Sequence, residues 1–370
     1  MTAMELGILS LGDIQTSPAT GQRFGAMQRI DEIIGYAALA DDLGLDLFAL
    51  GEHHTLDFAV SSPAVVLAAI AARTRSVRLT SAVTVLSVLD PVRVYQDFAT
   101  LDLLSHGRAE IIAGRSAFAE PFAIFGQPIE EYDQLFAEKL TLLLELVRTS
   151  HVTWSGRYRP PLVDAPIAPR AHQQPLPVWA GVGGSPASAQ RAGHLGLPMV
   201  LGFIGGSFAH ARRTVDIYRA AGERAGHPEK LRVGISTHFF AGATPSAARA
   251  VFPYWSTSAP NPRPTGGFAS TGSSSRPVPS PARRSWWDRP TNWSTRSSTP
   301  ICCSASTGLS ARSTGAVCRA ASWRSRSPVT RLRSRRPSAR PWARPPFEST
   351  GLPGPTRRPA IPRLGRRHRR

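Results

Sequence analysis

Residues 77–116 read VRLTSAVTVLSVLDPVRVYQDFATLDLLSHGRAEIIAGRS, and this stretch decides the fold. Small and β-branched residues fill 77–86, a composition that marks a strand. Asp90-Pro91 then opens a helix over 91–104: the Asp side chain can accept from the first free N–H groups, and Pro is preset for the first turn. Gly107 supplies a left-handed stop, and 109–113 is again apolar and strand-like. A strand, a crossover helix and a second strand within about forty residues make a βαβ unit, the building block of a parallel sheet.

The same alternation runs outward in both directions. Upstream, a strand at 5–9 leads to a helix at 25–43, with Ile30, Ile33, Ile34, Ala37 and Leu43 at helical spacing. A strand at 45–50 and a helix at 61–74 follow, the latter capped by Ser61 or Ser62 with Pro63 in its first turn. Downstream, a helix at 131–149 precedes a polar, Pro-rich excursion at 150–175, an insertion over one end of the fold and a candidate lid. Strands at 177–180, 199–201 and 233–240 then alternate with helices at 185–195 and 208–225. Seven strands in about 240 residues fit a TIM-type (β/α)8 barrel of the α/β class better than a smaller open sheet.

An eighth strand is owed, and after Phe252 the sequence turns to Ser, Arg, Pro, Thr, Gly and Trp without apolar periodicity. The expectation is a barrel in 1–252, incomplete at about seven βα strands, followed over 253–370 by a disordered basic tail. Seven strands alone would leave two unpaired edges, so the product as written is expected to fold poorly.

The formal charge of +19 belongs to the tail. Residues 1–252 hold 21 Lys and Arg against 23 Asp and Glu, whereas 253–370 hold 23 Arg, no Lys, and only Asp288 and Glu348. A native arm of this kind would bind nucleic acid or another polyanion. The alternative is a frameshift, because abundant Arg without Lys, beside Pro, Ser, Thr, Trp and Cys, is what a GC-rich gene yields out of frame. The frameshift is favoured, since the change falls where the barrel still lacks its closing elements. No apolar run reaches the ~20 residues of a membrane span and no signal peptide is evident, so the expected location is the cytoplasm, with no membrane partner. Cys302, Cys303 and Cys318 suggest neither a disulfide framework nor a zinc site.

Four places carry candidate chemistry. Gly51-Glu52-His53-His54 follows the second strand, where polar residues face the mouth of a barrel; bracing of the loop is the plain alternative. A metal is not expected there, because consecutive strand residues point to opposite faces and His53 and His54 should not converge on one ion. Thr80–Leu86 ends the third strand, with barrel packing as its alternative. Arg115 ends the fourth and can pair with a phosphate through two parallel hydrogen bonds, unless it is merely a surface Arg. Ala180-Gly181-Val182-Gly183-Gly184-Ser185-Pro186 lets backbone N–H groups approach an anion at a helix N-terminus. It is weak alone, since it is not a full G-x-G-x-x-G fingerprint.

Taken together, EHH at 52–54, SAVTVL at 81–86, DPVRVYQDFATLDLLSHGR at 90–108, AGRS at 113–116 and PVWAGVGGS at 177–185 resemble the luciferase-like monooxygenase family. The resemblance spans roughly 4–250. It implies a flavin, most often FMN, across the C-terminal mouth, its phosphate near Arg115 and the Gly183, Gly184, Ser185 turn. It places Ala82, Val83 and Thr84 beneath the isoalloxazine ring, Ala82-Val83 at the position of a non-prolyl cis peptide. Glu52 and His53 match the family's polar pair near flavin and substrate, and His53 is the candidate for handling a proton, since imidazole titrates near neutral pH. The implied activity is oxygenation of a small organic substrate by reduced FMN, supplied by a separate flavin reductase, and O2. A homodimer is implied as well, with helix 91–104 as a contact.

Rival readings are a deazaflavin (F420)-dependent oxidoreductase on the same barrel, a polyanion-binding protein working through its tail, and a metal-dependent hydrolase using His53 and His54. Phe118, Phe122 and Phe203 are candidate pocket walls, which suggests a partly apolar substrate.

Overall fold

In the computed structural model, which describes residues 4–14, 16, 20–203, 207–239, 244, 246 and the backbone of 301–304, apolar strands alternate with amphipathic helices. The strands and helices run β1 (Leu6–Ser10), α1 (Ala26–Asp42), β2 (Leu47–Leu50), α2 (Pro63–Ala71), β3 (Arg78–Ser81), β4 (Thr84–Val85), α3 (Pro91–Leu104) and β5 (Ala109–Gly114). They continue as α4 (Glu120–Ile124), α5 (Tyr132–Leu146), β6 (His151–Trp154), β7 (Leu162–Pro166), β8 (Val178–Val182), α6 (Pro186–His194), β9 (Met199–Gly202), α7 (Phe208–Arg224), β10 (Val233–Ser236) and β11 (Ile301–Ser304). All described residues fall in the unit Met1–Cys318. No described helix is long and apolar enough to cross a membrane.

The parallel sheet is a TIM-type ring. In turn β1, β2, β3, β5, β8, β9 and β10 pair with their neighbours, and β4 continues the third strand against the end of β5. Seven strand positions thus come from the alternating front part, as the sequence pattern implies. The eighth differs from expectation: Ile301–Ser304 lies parallel between β1 and β10, with Leu6 opposite Ile301, Leu9 opposite Ser304 and Ile235 opposite Ile301. Four residues are too few for a period-2 pattern to stand out from surrounding Ser, Thr, Arg and Pro. A parallel ladder, moreover, is built from backbone groups and tolerates such a sequence when both neighbours are already in place. The two edges expected to be bare are therefore paired here. The rest of 253–370, with its basic runs, lies outside the described residues, as do the frameshift and polyanion readings attached to it.

Local signals set the helices that frame the mouth. Asp90 Oδ1 accepts from Val92 N at 2.8 Å and Arg93 N at 3.3 Å, capping α3, and Gly107 turns the chain into β5 at φ +85. The core lies between sheet and helices, where Ile33, Phe48, Leu67, Ile70, Tyr95, Phe98, Leu140 and Leu143 are buried. At the opposite end from the mouth Arg78 bridges Glu5 and Glu110, each at 2.6 Å, so the barrel bottom is closed by a satisfied ion network.

The insertion is more ordered than its composition suggests. It contains the antiparallel pair β6 and β7, missed because two short alternating runs sit among prolines. Its tip is fixed to α5 and to the cap of α3: Glu138 accepts from Arg157 N at 2.8 Å and Tyr158 N at 2.9 Å, and Arg159 Nε donates to Asp90 at 3.2 Å.

Candidate active site

The ends of β2, β4, β5 and β8 form the floor of the mouth. The third strand breaks between Ser81 and Thr84, where the Ala82–Val83 peptide is cis. Val83 lays its side chain over two glycines on neighbouring strands: a Cβ on Gly114 would lie 2.8 Å from Val83 Cβ, and one on Gly181 would lie 2.7 Å from Val83 Cγ1. Both positions therefore need glycine for packing. Gly114→Ala is expected to destabilise the fold by about 2 kcal/mol through overpacking, lowering the melting temperature by several degrees; an unchanged melting curve would show that Val83 moves freely. Thr84 is buried and its Oγ1 donates to Ser81 Oγ at 2.8 Å, so it braces the break from within.

Glu52, only 4% exposed, ties β2 to β4: its Oε2 accepts from Val85 N at 3.1 Å, and its Oε1 pairs with His54 Nε2 at 2.9 Å. Its partner is thus His54, not His53. Glu52→Ala would strip a buried N–H of its acceptor and is expected to cost about 2 kcal/mol in chemical denaturation, with Glu52→Gln retaining much of it. His53 turns the other way, stacking on Phe58 at 3.9 Å and meeting Phe118 edge-on at 5.3 Å. Burial, helped by the nearby His54, pushes the His53 pKa down to about 4. The ring is therefore neutral at pH 7, which differs from the near-neutral titration that its residue type suggests. Phe118 joins His53 and Phe58 in this aromatic cluster, whereas Phe122 is buried with Val85, Val88 and Leu135, and Phe203 packs near Phe208. Lys139 reaches under the same loop, donating to Ser87 O at 2.7 Å, and its burial lowers the ammonium pKa to about 8.

A basic cradle lies beside this floor. Because Ala113 pairs with Ala180, Arg115 and the turn after Val182 leave adjacent strands side by side. Arg115 is ion-paired to Asp133 in the first turn of α5 and lies over the Tyr132 ring at 4.9 Å. Arg191 of α6 reaches the same Asp133 oxygen at 3.4 Å. Burial pushes Asp133 up, but the two guanidiniums outweigh it and hold the carboxyl below its usual range. The turn itself is open: Gly183 is exposed with free space beside it, Gly184 sits at φ +97, and Ser185 is the N-cap of α6. Ser188, 8% exposed, has its Oγ buried without a partner among the described residues, and so does Nη1 of Arg191.

The residues present fit a phosphate. Arg115 and Arg191 outnumber the Asp133 they share by one charge, Ser188 and Arg191 of α6 each keep a buried polar atom without a partner among the described residues, and open space lies beside Gly183 at the start of that helix. Sequence reasoning found Arg115 and the turn but missed Asp133, Ser188 and Arg191. Ser188 and Arg191 stand three and six residues after Ser185, on one face of α6, a spacing that could have pointed to them.

The model of the luciferase-like monooxygenase family matches residues 4–299. The chain belongs to this family. Among its relatives, an F420-dependent glucose-6-phosphate dehydrogenase of Amycolatopsis mediterranei is 33% identical over 187 residues, 48% of this chain and 54% of that protein. The N-acetyl-S-alkylcysteine monooxygenase of Bacillus subtilis is 29% identical over 216 residues, 55% of this chain and 61% of that protein. Among solved structures, the monooxygenase RslO1 from Streptomyces bottropensis superposes with a TM-score of 0.61 at 26% identity, covering 69% of this chain and 77% of that one. The chain spans about half the length of the curated relatives it matches first. The family therefore includes members named for oxygenation and members named for F420.

Proposed function

We propose that this chain is a flavin-dependent monooxygenase that uses reduced FMN, delivered by a separate flavin reductase, and O2 to oxygenate a small, mainly apolar organic substrate. The observation that carries this reading is the cradle at α6, where Arg115 and Arg191 share Asp133 and Ser188 Oγ and Arg191 Nη1 are buried without a partner among the described residues. Such a set suits the terminal phosphate of FMN. Bound reduced flavin would supply the two electrons that activate O2, one oxygen atom entering the substrate and the other leaving as water.

The protein's own residues would bind, orient and protect. Arg115, Arg191, Ser188 and the N–H groups of the Gly183–Ser185 turn hold the phosphate. Val83, wedged over Gly114 and Gly181, gives the ring a rigid apolar support, and Glu52 locks that support to β2. Phe58 and Phe118 wall the pocket with His53 and keep water from the reacting centre. His53, neutral at pH 7, would orient the substrate by hydrogen bonding from an uncharged imidazole. Val65, Leu103 and Leu104 are exposed on α2 and α3, and a second copy packing there would bury them, giving the homodimer.

The test is oxygen uptake by the full chain with photoreduced FMN and a panel of aldehydes, ketones and thioethers. Uptake coupled to an oxygenated product supports the reading; flavin reoxidation giving only hydrogen peroxide with every substrate opposes it. The 33% identity to an F420-dependent enzyme favours a second reading, hydride transfer by F420. It predicts anaerobic bleaching of F420 by an alcohol or sugar phosphate, with no need for O2.

A further inference from the structure

A second helix end comes down on the phosphate turn. His210 lies in the first turn of α7, and its backbone N–H donates to the Oγ of the N-cap residue Ser207 at 3.2 Å. Its ring lies against Gly184: a Cβ on that glycine would lie 3.1 Å from His210 Nε2. Any side chain at 184 would thus press on the imidazole, and the φ of +97 independently calls for glycine. The His210 side chain is exposed and makes no hydrogen bond to a described residue. Imidazole offers an N–H donor in either protonation state. Ser188 Oγ and Arg191 Nη1, both without a partner among the described residues, belong to the helix that begins at this turn. An anion held there would find Arg115 just beyond β5, the α6 N-terminus, and His210 from α7.

We propose that His210 is a phosphate-contacting residue that closes the cradle from the α7 side and makes the site select phosphorylated over unphosphorylated flavin. This rests on the flavin reading above. Riboflavin shares the ring and ribityl chain of FMN and lacks only the phosphate, so comparing the two isolates this contact. The experiment is fluorescence titration of the full chain with FMN and with riboflavin, for the parent protein, His210→Ala and His210→Gln.

The expected result is a preference of the parent for FMN that falls about tenfold in His210→Ala, through weaker FMN binding with riboflavin affinity unchanged. His210→Gln, which keeps a donor, should recover part of the loss. Because the side chain is exposed and makes no hydrogen bond to a described residue, both variants should melt with the parent. Equal weakening of both flavins, or an unchanged FMN affinity in His210→Ala, overturns the proposal while leaving the flavin reading intact. A parent protein that binds neither flavin overturns that reading, and the proposal with it.

Discussion

Replacing Arg115 with methionine is expected to weaken FMN binding about a hundredfold while leaving riboflavin binding within about threefold. Methionine keeps most of the apolar stem against Tyr132 and removes the guanidinium. In the parent, Arg115 and Arg191 share Asp133, so two cations face one carboxylate and the surplus is available to a phosphate. Without Arg115 the local charge of these three groups falls to zero, and the remaining Arg191 is fully matched by Asp133. The loss should therefore exceed that of a single neutral hydrogen bond and should shrink with added salt only weakly, because Arg115 is largely buried. Arg115→Lys should recover part of the affinity, since a point charge replaces a fork. Equal affinity for FMN in parent and Arg115→Met would remove the arginine from the cradle.

Acid should destabilise the parent protein across the window in which His53 stays neutral in the fold. Its folded pKa is pushed down to about 4, whereas a solvent-exposed imidazole titrates near 6.5. Between those values the unfolded chain binds more protons than the folded one, so stability rises with pH across the window and is lost as pH falls from 6.5 toward 4. The size follows from the shift: on the order of 3 kcal/mol across the whole window. In His53→Gln the stacking on Phe58 is also altered, so absolute stability is a poor readout. The slope of unfolding free energy against pH between 6.5 and 4.5 is a clean one, and it should flatten in the variant. An identical slope would mean that another group, such as His238, whose pKa is also lowered by burial, dominates the acid response.

Where a signal is local and chemical, the sequence carried it into the structure unchanged. Asp90-Pro91 begins α3 and Gly107 ends its turn because capping and left-handed φ depend on nearest neighbours alone. The glycine turn before α6 and the break at Ala82–Val83 were legible through the family motif. Features that depend on tertiary partners were not. Ile301–Ser304 becomes a strand because β1 and β10 present two unpaired ladders, which no short-range pattern encodes. Helix α4, at five residues, offers no periodicity to read. The pairing of Glu52 with His54 was accessible, since residues two apart in extended chain share a face. Asp133 has no motif of its own, and only folding brings it between two arginines from different elements.

The central proposal is that the mouth of the barrel holds FMN. Equilibrium titration of the full chain with FMN and F420 in parallel, followed by flavin fluorescence and visible absorbance, tests it most directly. The expected result is saturable FMN binding at about micromolar affinity or tighter, with much weaker binding of F420. Tight F420 binding without FMN binding, or binding of neither, would contradict it.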